Sequence, residues 1–220
     1  MLNATTVLEY AILAEKNLRS GMPVTTIIGT GLDKIIELCR QEILEQSAKE
    51  VGGSTLVKRI KTAQKMMKGI EEYRLPKAGA ATKSAADGSK YQTFNNGYFG
   101  FILYDELQGL PQGDPVDALD MGEQIRVAES QMNARQEMEV DLAAIKAHIA
   151  LHRAEHKGQK HIPSPVWKLG NHSYNAQYIL DCFTILGGDV KFYNDPTRPV
   201  SGAVLESENG KAALLPLRNQ

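Results

Sequence analysis

The run from Ala176 to Leu186 constrains this chain more than any other stretch. Ala-Gln-Tyr-Ile-Leu-Asp-Cys-Phe-Thr-Ile-Leu reads as a capped amphipathic helix, and Gly187-Gly188 stops it. Behind it the apolar period shortens. The residues predict a strand over Val190–Tyr193, a proline turn, and a strand over Val200–Glu206. A turn at Glu208-Asn209-Gly210 and a strand over Lys211–Leu217 complete the run. A helix followed by short, closely spaced strands requires an α+β unit with an antiparallel sheet.

The N-terminal part reads as a helical segment over residues 1–53. Thr6 and Glu9 fit a capping box, followed by Val7, Leu8, Ala11, Ile12 and Leu18 at helical spacing, until Gly21 and Pro23 end the run. A second helix is expected from about residue 32 to 50, with Ile35, Ile36, Cys39, Ile43 and Leu44 on its apolar face. Ser54 caps a third, about 55–70, with Val57, Ile60, Gln64 and Met67 on one side. Pro76–Lys90 is rich in Ala, Gly, Ser and Lys without periodicity and reads as a loop. Tyr91–Leu103 reads as a hairpin turning at Asn95-Asn96-Gly97. Gln108–Asp117 is a linker, Glu123–Glu139 is polar and irregular or helical, and Asp141 caps a helix over Leu142–His156. Val166–Leu169 reads as a strand.

Two stretches, Ser54–Leu103 and Val166–Leu217, therefore share one order: a helix with antiparallel strands. The chain from Asn175 to Gln220, with Tyr178-Ile179-Leu180-Asp181, Gly187-Gly188-Asp189 and the ending Ala213-Leu214-Leu215-Pro216-Leu217-Arg218, resembles the end of the third domain of the bacterial sliding clamp, the β subunit of DNA polymerase III. The resemblance implies an α+β fold. A helical N-terminal segment (1–53) would precede one clamp-like domain (54–220) of two helix-plus-antiparallel-sheet halves, with an insert at about 108–165. It also implies a non-catalytic protein, an accessory or decoy that binds short peptide motifs of replication or repair proteins; the alternatives to that function are a histidine-metal-dependent enzyme and a purely structural subunit of an assembly. Chains of this truncated type resemble those of phages and mobile elements. In the family, the peptide pocket lies beside the final strand, which here places Pro199, Val200, Ala213, Leu214, Leu215, Pro216, Leu217 and Arg218 at the candidate groove. The alternative reading of Leu215 and Leu217 is closure of a small sheet's core. A complete clamp has three domains and borrows pocket walls from the preceding one. This chain has room for about one, so a ring would require a homo-oligomer.

Charge points to local patches only, because the net charge is −1. Lys58, Arg59, Lys61, Lys65 and Lys68 make a basic stripe on the third helix. By the clamp resemblance such a stripe would meet DNA phosphates without reading bases; the alternative is a solvated helix face. The helix over Ala176–Leu186 carries no Lys or Arg.

His148, His152 and His156 share a helix face, with Glu155 and His161 nearby. A surface cluster and a histidine-held metal in a metal-dependent enzyme are the competing readings, and no His-Glu-x-x-His signature supports the second. Gly29-Thr30-Gly31 reads as a turn, and Asp114, Asp117 and Asp120 as part of a solvated linker. No catalytic constellation, metal site or cofactor is expected. Cys39 and Cys182 read as buried reduced thiols, which with the lack of a secretory signal or a bilayer-length apolar run places the expected chain in the cytoplasm, without a membrane partner.

Overall fold

Cross-strand pairing of apolar residues organises the larger part of the molecule. The computed structural model describes residues 4–21, 35, 38–39, 42, 53–67, 79–85, 87–111, 113, 119–198 and 201–217. The chain divides into two units, Met1–Val57 and Lys58–Gln220.

The first unit holds helix α1 (Ala4–Arg19). It begins at Ala4, so Thr6 lies inside the helix and is not its cap. Among its described side chains Ala14 and Asn17 are buried, whereas Ile12 and Leu18, expected on an apolar face, are exposed. Ile35, Leu38, Cys39 and Glu42 are also helical, and Cys39 is exposed rather than buried. A further helix, α2 (53–67), runs on into the second unit.

The second unit is α+β. Its elements after α2 are β1 (Ala81–Ser84), β2 (Lys90–Asn95), β3 (Phe99–Leu103), α3 (Met121–Gln131), β4 (Gln136–Met138) and α4 (Leu142–Glu155). Then come β5 (Val166–Leu169), β6 (His172–Asn175), α5 (Ala176–Leu186), β7 (Lys191–Asn194), β8 (Ala203–Ser207) and β9 (Gly210–Leu214). Among the described residues seven strands form one sheet in the order β1-β2-β3-β9-β8-β7-β4, and β5 and β6 form a separate hairpin. Every described pair is antiparallel.

Register puts one apolar row across the sheet: Phe94, Phe101, Ala212, Leu205, Phe192 and Met138 are successive partners. The first five are at most 1% exposed, and each large member contributes about 1.5–3 kcal/mol of transfer free energy. Phe99 points to the same face and meets Tyr178 of α5, ring centroids 4.8 Å apart. Gly100, the next residue along β3, faces the opposite way and lies under Met121 of α3. The sheet is therefore covered by α5 on one face and by α3 on the other.

α5 follows the sequence closely. Asn175 accepts from the Gln177 amide, Ile179, Cys182, Ile185 and Leu186 are buried, and Gly187 leaves the helix at φ +64°. Its last carbonyls are capped from a distance. Arg59 of α2 donates to Ile185 O (2.7 Å), and Asn209 Nδ2 donates to Leu186 O (2.8 Å). Asp141 caps α4 by accepting from Ala143 and Ala144.

Several expected boundaries move: the strand expected over Val200–Glu206 runs Ala203–Ser207, and that over Val190–Tyr193 runs Lys191–Asn194. Residues 81–84, read as loop, form β1, because Ala81–Ser84 pairs with Thr93–Lys90 while Ala80 bonds to Pro111 and Gly113. The final strand stops at Leu214 instead of Leu217. Leu215 N donates to Tyr98 O (2.9 Å), Pro216 has no amide proton to offer, and Leu217 N turns to Ser173 O (2.7 Å) on β6. Among the described residues no helix is long and apolar enough to cross a membrane.

Candidate functional site

The site begins with how α3 is fastened across the sheet. At its start, Asp120 Oδ1 accepts from Gly122 N (2.9 Å) and from the Tyr91 hydroxyl (2.9 Å), and Met121 N donates to Thr93 Oγ1 (3.1 Å). Burial and then the Asp120 carboxylate push the Tyr91 phenol up to about 12. Met121 packs so close to β3 that a Cβ at Gly100 would lie 2.7 Å from its Sδ and Cε. Only glycine permits that approach.

The far end of α3 is held by charge. Lys211 of β9 reaches Glu129 (2.8 Å) and its cross-strand partner Glu206 (2.8 Å), and Arg135 adds a bond to Glu206 (2.7 Å) while lying 3.9 Å over the Tyr193 ring. Burial alone would raise the Glu206 carboxyl; the bond from Lys211 and the Lys211 and Arg135 charges more than offset it and hold it below its usual range.

Beyond the helix, Asp195 ties two loops together. Its carboxylate accepts from Thr197 Oγ1 (2.6 Å), Thr197 N (2.8 Å), Asn133 N (2.7 Å) and Ala134 N (3.2 Å). The Thr197 hydroxyl is the largest of the influences that bring this carboxyl down to about 2. Arg198 then donates to Gln131 O (2.8 Å) at the last turn of α3. The Arg198 carbonyl accepts Ser201 N (2.9 Å), Ser201 Oγ (2.8 Å) and His172 Nε2 (2.9 Å). His172 is 1% exposed, so accepting a carbonyl's company requires its proton on Nε2, with Nδ1 turned toward Asn194 Nδ2 (3.4 Å).

Between these fastenings lies a groove of about 380 Å³. One wall is the sheet and its tail: Gly100 of β3, Ala213 of β9, and Leu215 just beyond. Ser201 and Gly202, on the turn held by Arg198, and the β2–β3 turn with Tyr98 close one end. Gln124, Val127, Ala128 and Gln131 of α3 form the facing wall. Leu215 is 53% exposed although apolar, and among the described residues no charged side chain lines the groove. A partly open cleft of this size, with Leu215, Val127 and Ala128 in its lining, suits a few apolar side chains.

Of the eight residues expected at a peptide groove, Ala213 and Leu215 line this one. Leu214 does not: it is fully buried on the opposite, core face, because strand neighbours alternate. Pro216 and Leu217 are half-buried along the path toward β6. Pro199, Val200 and Arg218 lie outside the described residues.

On α2, Lys58, Lys61 and Lys65 are exposed, and Lys68 lies outside the described residues. Arg59 departs from that stripe. It is 6% exposed and spent on Asp105 (2.7 and 3.1 Å) and the Ile185 carbonyl.

The histidines of α4 and its C-cap follow one another along the helix; His152 and His156 stack, whereas the His148 contacts are tilted. Ring centroids of His148 and His152 are 6.4 Å apart, those of His152 and His156 4.3 Å, and His148 leans on Trp167 at 5.5 Å. No group of three metal-ligating side chains occurs among the described residues. Asp120 is a helix cap; Asp114, Asp117 and Gly29–Gly31 lie outside the described residues.

The residues that sequence reasoning missed are those of α3. A signal was present: Asp120 followed three positions later by Glu123 is an N-terminal helix signature, with Ile125 and Ala128 at apolar spacing behind it. The low overall hydrophobicity of the stretch hid it. The chain matches no protein-family model, no curated protein and no solved structure.

Proposed function

We propose that this chain is a non-catalytic, sliding-clamp-like accessory or decoy protein that holds a short peptide of replication or repair proteins in the groove between α3 and the end of β9. The observation that carries the reading is the exposed Leu215 beside Ala213 in a groove, where the resemblance of residues 175–220 to the clamp ending implies a peptide pocket. Strand order adds support. Helix α2 is followed by β1-β2-β3 and helix α5 by β7-β8-β9, and the two sets meet at β3 and β9 in mirrored order. Two clamp-like halves would produce that order. The reading places the protein in the cytoplasm of a cell hosting such replication proteins, with phage or mobile-element origin, and a ring only by homo-oligomerisation.

The test is fluorescence anisotropy with a labelled sliding-clamp-binding peptide. Saturable binding, lost on Leu215→Glu, is the expected outcome. Absence of binding at high micromolar protein removes the reading. A second contact, with DNA, is favoured by the exposure of Lys58, Lys61 and Lys65 along one side of α2. It predicts salt-sensitive binding of a DNA duplex that weakens when all three are changed to alanine.

A further inference from the structure

We infer that α3 is the wall that selects the partner, so that the groove is completed within a single chain rather than by a neighbouring domain or subunit. The inference rests on the peptide-groove reading above and assigns recognition within it to Gln124, Val127, Ala128 and Gln131.

The two walls differ in kind. The sheet wall is deepened by Gly100, Gly202 and Ala213 and carries its larger side chains, Tyr98 and Leu215, at one end. The α3 wall presents residues 124, 127, 128 and 131, the spacing of a single helix face. Val127 and Ala128 are half-buried and apolar, and exposed Gln124 and Gln131 flank them. Among the described residues neither glutamine side chain has a hydrogen-bond partner. A primary amide donates and accepts at once, which matches the N–H and C=O of an extended peptide backbone.

The wall is also held in advance of any ligand. Tyr91 and Thr93 fasten the start of α3, and Lys211 and Arg198 fasten its end. A groove whose walls are already ordered loses little entropy on binding. Its charge defines the occupant. Among the described residues the lining carries no ion of either sign, so a charged anchor would lose its hydration there without a counter-ion, and the occupant is an extended peptide with an uncharged apolar anchor.

Four full-length proteins are compared with the labelled sliding-clamp-binding peptide and with the same peptide carrying aspartate at its apolar anchors: the unchanged chain, Leu215→Glu, Val127→Glu, and the exposed pair Gln124→Ala/Gln131→Ala. Thermal melting of each reports folding. The expected result is that Val127→Glu and the glutamine pair each weaken the apolar peptide by about tenfold or more, and that the aspartate peptide does not bind. If Leu215→Glu abolishes binding while Val127→Glu and the glutamine pair bind as the unchanged chain does, the selecting role of α3 is overturned and the groove reading survives. If the unchanged chain binds neither peptide, both fall. Should Val127→Glu fail to fold, the exposed glutamine pair decides the outcome alone.

Discussion

Replacing Gly100 by alanine tests the approach of α3 to the sheet, and with it one boundary of the groove. The new methyl would sit 2.7 Å from both Sδ and Cε of Met121 and 2.8 Å from Asn95 Cβ. Carbon contacts are favourable at about 3.5–4.0 Å, so each overlap is about 1 Å. Met121 is 6% exposed and has the groove as its open side, whereas Asn95 is held by the strand pairing opposite Gly100. Overpacked cores lose about 1–3 kcal/mol, and a loss of about 2 kcal/mol is expected here. For a unit of this size that corresponds to a melting temperature about 4–8 °C lower. Met121→Ala alone should cost about 2–5 kcal/mol by removing the thioether. In the double variant the thioether overlap is gone and the Asn95 overlap remains, so the combined loss should fall short of the sum by about 1 kcal/mol. Urea unfolding of the full chain, with all four slopes compared, measures the cycle. Additive losses, or no loss for Gly100→Ala, would refute the packing of α3 on β3 described above.

Asp195 predicts an acid-sensitive loop junction. Its carboxyl lies at about 2, below the ~3.9 of an unfolded aspartate, so its contribution is complete above that value and is lost as pH falls toward 2. The urea midpoint of the unchanged chain should drop between about pH 4 and 2, and Asp195→Asn should flatten that drop while lowering stability at neutral pH; an unaltered acid slope would contradict the assignment. Arg59→Met should cost about 2 kcal/mol in urea unfolding, because it leaves the Ile185 carbonyl without its donor and Asp105 without its partner; a neutral result would show that water replaces both. At Gly210 the backbone is at φ +154° and a Cβ would collide with the Ile102 carbonyl, so Gly210→Ala should lose about 3 kcal/mol or more, and an unchanged midpoint would argue against the β3–β9 register.

Much of the fold was legible because it is local. The Asn95-Asn96-Gly97 turn works through its own side chains: Asn95 Oδ1 accepts from Gly97 N, and Asn96 Oδ1 from Tyr98 and Phe99. Such signals need no partner elsewhere in the chain, and the same holds for Asp141 at α4 and for the helix over residues 176–186. β1 was not legible, since Ala-Thr-Lys-Ser carries no period of its own and becomes a strand by pairing with β2. Arg59 looked like one more member of a basic stripe; burial beneath the end of α5, a contact 126 residues away in sequence, removes it.

The candidate site divides in the same way. Ala213 and Leu215 were expected at a groove through the resemblance of the tail to the clamp ending, and both line the cleft beside α3. The removal of Leu214 to the core follows from strand alternation, but only once register names the inward face. The facing wall was decided by tertiary structure entirely. Nothing in the residues of α3 says which sheet face they cover; that is set by the bare Cα of Gly100 and by Thr93, Lys211 and Arg198, which lie from 28 residues before to 82 after their partners in α3. The sequence by itself determined the turns, caps and alternating strands, because these depend on neighbours within a few positions. The groove is a relation between distant segments, and only packing creates it.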